Sequence, residues 1–560
     1  MSGYNNTPSA INTEPIGTCN LSRIPQSETS TINKHSIPST ELERMLCCGG
    51  DERLLLDSST RVNMYGCSPG PVSSSTSIYL SSSTATPVSN DAFAHLAEMM
   101  ITLNKTEINN AVDDRMEDFR QELLDYFGIN SVDADIVFVP SGTDATLQAV
   151  FLSKLCLSKP TTILTNLVLA VDEAAGRVMA AASGCHFNTK NIRGEDVDKG
   201  APIACLHGTN GNKTIEYIEL SYEKCQNEIY IEELVDQLVS RSENTHVLLH
   251  AIDTSKLGNR TPSHNCLERI EQQHSKESLT ILIDACQFRL SSRRIRDHIN
   301  RGRLVIITGS KFLTGPPFSG AIIVPGRFRA QIQQASVSNN MSSELAAYSA
   351  IADWPRSWTN VRSCLSTFSS VLWKANIGQF LRWMAAVFEL RRYLRVPVQQ
   401  REQFILEAGA AIQAAFASVP DLLEPFMNKN RSQFFDEYDE EFRHPTIFPF
   451  LIRQPNKSKS FLHEKTCKEI YQKLQQTTDT YPITCVIGQP VTVVVSEYQG
   501  PVTTFRFSID ARAVADEFER GHGTKPMTVD ILRSKVELVI KKIAEIVNFQ
   551  QSTKTNGDDL

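Results

Sequence analysis

The chain of 560 residues is too long for one ordinary core, so two or more domains plus a tail are expected. Its 41% hydrophobic and 21% charged residues are those of an ordinary globular chain, and a formal charge of −7 gives no electrostatic reason to expect nucleic acid or an anionic membrane as partner. There is no apolar run of about 18 residues, no basic start followed by an apolar stretch, and no paired metal spacing among the 13 cysteines; a membrane span, secretion and a metal site are therefore not expected.

Residues 1–40 are polar, poor in aromatics and dotted with Pro, the composition of a disordered tail, and ordered sequence is expected from near Leu42. An N-terminal segment, 41–105, follows; its Cys47-Cys48 pair lacks the basic or apolar neighbours of a lipidated site. Helical periodicity runs through 91–127 and is clearest over 108–127, where Val112, Met116, Phe119, Leu123 and Leu124 share a face.

From there short apolar runs alternate with helical segments. The runs 136–139, 161–169, 247–252, 279–283, 304–308 and 320–324 read as buried strands, with helices at about 143–156, 171–183, 230–241 and 265–275. Such alternation predicts an α/β domain over 106–335, built on a mostly parallel sheet covered on both faces. In such sheets ligands bind beyond the C-terminal ends of the strands, which makes the residues after each run the candidates for a site. A long helical stretch, 361–394, lies within a linking region at 336–394. A smaller α+β domain, 395–550, follows, with strands near 492–496 and 503–508 and a closing helix at 529–547; a loose tail is expected at 551–560.

Three segments carry the chemistry. Pro140-Ser141-Gly142-Thr143-Asp144 follows a strand and opens a helix, where backbone N–H groups and hydroxyls make a phosphate site, although the same residues also serve as an ordinary N-cap. Asp284-Ala285-Cys286-Gln287 places a carboxylate at a strand end, where it would pair with a protonated ring nitrogen or simply cap a turn. Gly309-Ser310-Lys311, with Gly315-Pro316-Pro317 after it, places a lysine at a strand end, where desolvation would leave enough neutral amine to attack a carbonyl. Asp284 and Lys311 are 27 residues apart, room for one helix and one strand. A further segment at 208–214 resembles a nucleotide-binding loop but has two residues between its glycines, where that loop has four, and Asn212 before Lys213, so it reads as a polar turn.

In the order and spacing of these segments the sequence resembles the fold type I pyridoxal-phosphate (PLP) enzymes, and within them the class V aminotransferase and cysteine desulfurase group, over roughly residues 50–515. The resemblance implies a large domain with a seven-stranded, mostly parallel sheet, a smaller α+β C-terminal domain, and PLP as cofactor. It implies that Gly142 and Thr143 contact the phosphate, with Ser310 reaching it as well. Asp284 would pair with the pyridine nitrogen, Gln287 would touch the ring oxygen, and Ser255 would lie beside the ring. Lys311 would carry the cofactor as a Schiff base and move the substrate's alpha proton. Arg506, in Thr504-Phe505-Arg506-Phe507-Ser508, would grip the substrate carboxylate, although a plain strand arginine reads the same way.

Two departures stand out. Where the group often stacks a His or aromatic residue on the ring, this chain has Val171-Asp172-Glu173-Ala174-Ala175, which places Glu173 near the ring instead. The turn after the lysine is also longer than the group's usual one. A desulfurase would need a nucleophilic loop cysteine well beyond the lysine; Cys467 falls in a helical segment and Cys485 in a strand, which demotes that reaction. The resemblance therefore implies an aminotransferase acting on an amino acid in a homodimer; the scattered cysteines read as reduced thiols of a cytoplasmic protein, with organelle import left open. A carbon–sulfur or other lyase is the alternative, and a catalytically inactive PLP-fold protein is a third reading, against which the joint presence of Asp284, Gln287 and Lys311 argues.

Overall fold

The computed structural model describes residues 38–103, 108–157, 159, 162–174, 176–207, 214–335, 337–368, 374–426, 442–455, 457–498 and 500–555. The expected N-terminal tail up to residue 37, the polar turn at 208–213 and the final residues 556–560 lie outside them.

The chain enters through a helix, Ser39–Leu46, and a first short strand, β1 (Ser77–Leu80). Two helices follow, Asn90–Leu103 and Ile108–Phe127, and the five apolar residues expected on one face of the second are all buried. The large domain then delivers β2 (Ala134–Val139), β3 (Ile163–Val168), β4 (Ile215–Glu219), β5 (Thr245–Ile252), β6 (Leu279–Ala285), β7 (Leu304–Thr308) and β8 (Gly320–Pro325). They form a seven-stranded sheet in the order β2-β8-β7-β6-β5-β3-β4, in which only β8 runs against its neighbours. Strands covered on both faces are near-continuous apolar runs, which is why β2, β5 and β7 are buried at every residue. The edge strand β4 was not anticipated. Its sequence, Ile-Glu-Tyr-Ile-Glu, interrupts the apolar run with two glutamates and leaves Tyr217 half exposed.

A second sheet is built from β9 (Leu423–Pro425), β10 (Ile447–Gln454), β11 (Lys457–Phe461), β12 (Thr484–Val494) and β13 (Pro501–Ser508), together with β1. β1 runs parallel to β12, with Ser77 opposite Thr484, so the N-terminal segment is an edge of the C-terminal sheet. The architecture is thus α/β, with a large mixed sheet and a smaller α+β region.

Two expected helices differ in detail. The stretch 361–394 is two helices, Thr359–Phe368 and Ile377–Leu394, because Asn376 starts the second by accepting from the Gln379 N–H at 3.0 Å. The stretch 171–183 is a 3-10 turn, Val171–Glu173, followed by a short helix, Val178–Ala182; Ala170 enters it in the left-handed region, at φ 49°. The helix Ile377–Leu394 is buried along most of its length and locks the region of the site. Trp383 Nε1 donates to Gly320 O at 2.9 Å, while the Arg382 guanidinium donates to Phe318 O at 2.7 Å and to Leu46, Cys48 and Gly49 carbonyls. A buried arginine serves here because four carbonyls from two segments converge on its donors.

Candidate active site

The parallel strands end on one side of the large sheet, and their following loops enclose a cavity of about 320 Å³. All eight site residues expected from the sequence line it: Gly142, Thr143, Ser255, Asp284, Gln287, Ser310, Lys311 and Arg506.

β2 leads into the helix Gly142–Cys156. Ser141 Oγ accepts from the Asp144 N–H at 3.3 Å and donates to Asp144 Oδ2 at 2.5 Å, so the N-cap exists, yet the first residues of the helix still face the cavity. A Cβ on Gly142 would collide with Cys286 Sγ, which explains the glycine. Arg53, from the N-terminal segment, adds a cation at this end. It is held by Asp51 through contacts of 2.6 and 2.8 Å, lies 4.6 Å over the Phe318 ring, and donates to Ser141 Oγ at 3.0 Å.

At the end of β6, Asp284 Oδ1 accepts from the Cys286 N–H at 3.0 Å, and burial pushes its carboxyl above the usual range. Gln287 Nε2 donates to Ser83 O at 3.0 Å. Beyond β7, Lys311 Nζ donates to Thr84 O, and burial, aided by the Arg506 charge, lowers its ammonium to about 8. The loop after it returns through Thr314 and Phe318, both in the left-handed region at φ 59° and 75°, and is fixed by Arg512 on Thr314 O at 2.7 Å and Arg382 on Phe318 O.

Past β5, Ser255 Oγ donates to Glu173 Oε2 and accepts from the Leu257 and Asn259 N–H groups, each at 3.1 Å. Asn259 Nδ2 donates to Glu173 Oε1 at 2.7 Å. Glu173 lines the cavity, and burial raises its carboxyl to about 7. Lys256 Nζ donates to Ala174 O at 2.7 Å; burial and then Arg506 bring its ammonium down to about 7.

Arg506 reaches in from β13 of the second sheet. Its Nη2 donates to Thr84 Oγ1 at 3.2 Å and its Nε to Ser83 Oγ at 3.4 Å, while the buried Nη1 has no partner among the described residues. Burial lowers the guanidinium to about 10. Arg506 is not an exposed strand arginine: it is 1% exposed.

The sequence did not point to Arg53, Ser83, Thr84 or Lys256. The first three come from the N-terminal segment, which is brought to the cavity by tertiary contacts: the β1–β12 pairing, between residues some 400 apart in sequence, and the Arg382 hold on the Leu46, Cys48 and Gly49 carbonyls. Lys256 did carry a signal, since it follows Ser255 directly at a strand end. Neither Cys467 nor Cys485 lines the cavity; they sit in the helix Glu464–Leu474 and in β12. Cys286 does line it, but burial beside Asp284 pushes its thiol well up, away from a reactive thiolate.

In motif order and architecture the chain resembles the fold type I PLP-dependent enzymes. No protein-family model and no curated protein matches the chain. Solved structures do. A variant of C-DES with glycine covalently linked to its PLP cofactor matches with a TM-score of 0.48 and 12% identity, over 83% of this chain and 97% of that one. A NifS-like protein matches with a TM-score of 0.45 and 12% identity, over 84% and 100%. Mouse CSAD matches with a TM-score of 0.44 and 14% identity, over 81% and 82%. At these identities no residue role and no reaction carries over from them. Among the described residues no cluster of His, Cys, Asp or Glu suits a metal ion, and no helix is long and apolar enough to cross a membrane.

Proposed function

We propose that the chain is a PLP-dependent enzyme acting on an amino acid, with Lys311 as the residue that holds the cofactor. The observation that carries this reading is the convergence of Lys311, Asp284 and the Gly142 helix start on one cavity. The donor set fits the cofactor at both ends. One end offers a helix N-terminus, the Thr143 and Ser310 side chains and the Arg53 guanidinium to a phosphate. At the other, the buried Asp284 carboxylate has no cation at ion-pairing distance among the described residues and is suited to a protonated ring nitrogen.

When bound, PLP supplies an electron sink for a bond broken at the substrate's alpha carbon. The chain's own groups do the rest. Lys311, lowered toward neutrality, would hold the cofactor through its amine and, once free of it, would take or return the alpha proton. Arg506 offers the unpartnered Nη1 and its neighbour to the substrate carboxylate. Gln287 and Ser255 hold the ring region from the ends of β6 and β5, and Ser255 also orients Glu173.

Amino transfer is the reaction that the resemblance implies. Lyase chemistry, carbon–sulfur or other, is the second reading, and Glu173 favours it. A carboxyl raised to about 7 in the cavity remains protonated in part at neutral pH, as an acid that protonates a departing side-chain group must. A cytoplasmic homodimer belongs to the same proposal. The test is a screen of amino acids on PLP-loaded protein with and without a keto-acid acceptor. Turnover that needs the acceptor supports amino transfer, and acceptor-independent release of a keto acid supports the lyase. A protein that takes up no PLP would overturn the proposal.

A further inference from the structure

The charges lining the cavity do not match in number. Lys256, Lys311 and Arg506 all line it, and among the described residues none has a carboxylate at ion-pairing distance. The two carboxyls on its wall are engaged by neutral donors: Glu173 by Ser255 and Asn259, Asp284 by the Cys286 N–H. Elsewhere in the lining, Arg53 is held by Asp51, and Arg177 lies 3.5 Å from Glu52.

With the cofactor's phosphate taken by the Gly142 helix start, Ser310 and Arg53, an amino acid bound as proposed above employs two of the three unmatched cations. Lys311 holds the cofactor and Arg506 takes the alpha carboxylate, which leaves Lys256. Of its three ammonium N–H donors one is used, on Ala174 O at 2.7 Å. The cations that face it, Arg506 and Lys311, disfavour its charge, while Asp284 and Glu173 partly offset them. A buried ammonium so placed is costly unless an anion arrives to share it.

We infer, on the basis of the PLP reading, that the substrate is an amino acid with a second acidic group on a short side chain, and that Lys256 is the residue that selects it. The recognised chemistry is an anionic oxygen acid: a carboxylate, sulfinate or phosphate. The side chain is short because Lys256, Lys311 and Arg506 line one cavity of about 320 Å³ that must hold the cofactor as well. A purely structural role, tying the turn at Ala174 to the end of β5, is the competing account.

The full chain loaded with PLP would be titrated with aspartate, glutamate and their sulfinate and phosphate analogues, beside asparagine and glutamine, following the visible absorbance of the bound cofactor. At least one acid should bind about tenfold tighter than its neutral counterpart. Lys256→Met and Lys256→Gln should each bring that pair to parity, and Lys256→Arg should keep the acid preferred. Which acid wins identifies the side-chain group. Equal binding of acidic and neutral amino acids by the unaltered chain, or an undiminished acid preference in a folded Lys256→Met or Lys256→Gln, would overturn the inference and leave the PLP reading standing. A chain that binds no PLP overturns both.

Discussion

Arg506→Met should leave the stability of the protein nearly unchanged while it cripples substrate binding. Arg506 is 1% exposed, has no carboxylate partner, and makes two hydrogen bonds of 3.2 and 3.4 Å. Its guanidinium falls from 12.5 to about 10, with burial as the largest cause. At neutral pH the arginine is protonated both folded and unfolded, so the full penalty applies; 2.5 pKa shifts at 1.36 kcal/mol each come to about 3 kcal/mol. The two long hydrogen bonds that the variant loses come from a charged donor, so they offset about 3 kcal/mol of that. Stability should therefore change by less than about 1 kcal/mol, read by denaturant midpoint at pH 7 on cofactor-loaded protein. The same variant forfeits a buried charge-assisted contact to the alpha carboxylate, a loss of about 2–5 kcal/mol, so KM should rise by about 100-fold or more. A destabilised variant with unchanged KM would refute the reasoning, since Arg506 would then be a structural residue.

Cofactor uptake by the stripped protein should accelerate as pH rises through about 8, because the neutral amine grows as pH passes the folded pKa of Lys311; at pH 7.5 that amine is about 200-fold more abundant than on an ordinary lysine. An uptake rate still climbing steeply toward pH 10 in stopped-flow would contradict the depressed value. Asp284→Asn should keep the cofactor bound but lower kcat by about 100-fold or more, because the ring nitrogen loses its anionic partner; unimpaired kcat would remove Asp284 from that role. If Glu173 is the acid of a lyase, kcat should fall as pH rises through about 7, the direction in which a raised carboxyl loses its proton, and Glu173→Gln should abolish that limb of the profile. A limb that persists in the variant belongs to another group.

The large domain was legible because buried parallel strands announce themselves as unbroken apolar runs, and β7 falls at the residues expected, Leu304 to Thr308. Its edge strand β4 was not, since Glu216 and Glu219, on opposite faces of a partly exposed strand, break the apolar run. The deep residues of the site followed from the same logic: Gly142, Ser255, Asp284 and Lys311 each stand just past or at the end of a strand, where an α/β sheet gathers its ligands. What lay hidden came from elsewhere in the chain. Ser83 and Thr84 reach the cavity through the pairing of Ser77–Leu80 with Thr484–Ile487, which no local pattern encodes. Arg53 has no motif at all; a bidentate hold by Asp51 and the face of Phe318 position it, and both are tertiary facts. The break at Asn376 escaped notice because neither proline nor a glycine cap marks it, only an asparagine side chain reaching the Gln379 N–H.

The central claim, that Lys311 holds PLP, has a direct test. The PLP-loaded chain would be reduced with borohydride, digested, and the phosphopyridoxyl-bearing peptide sequenced by mass spectrometry. The account predicts a single stoichiometric adduct on Lys311, absent from Lys311→Ala. An adduct on Lys256 or on any other lysine, or no adduct at all, would contradict it.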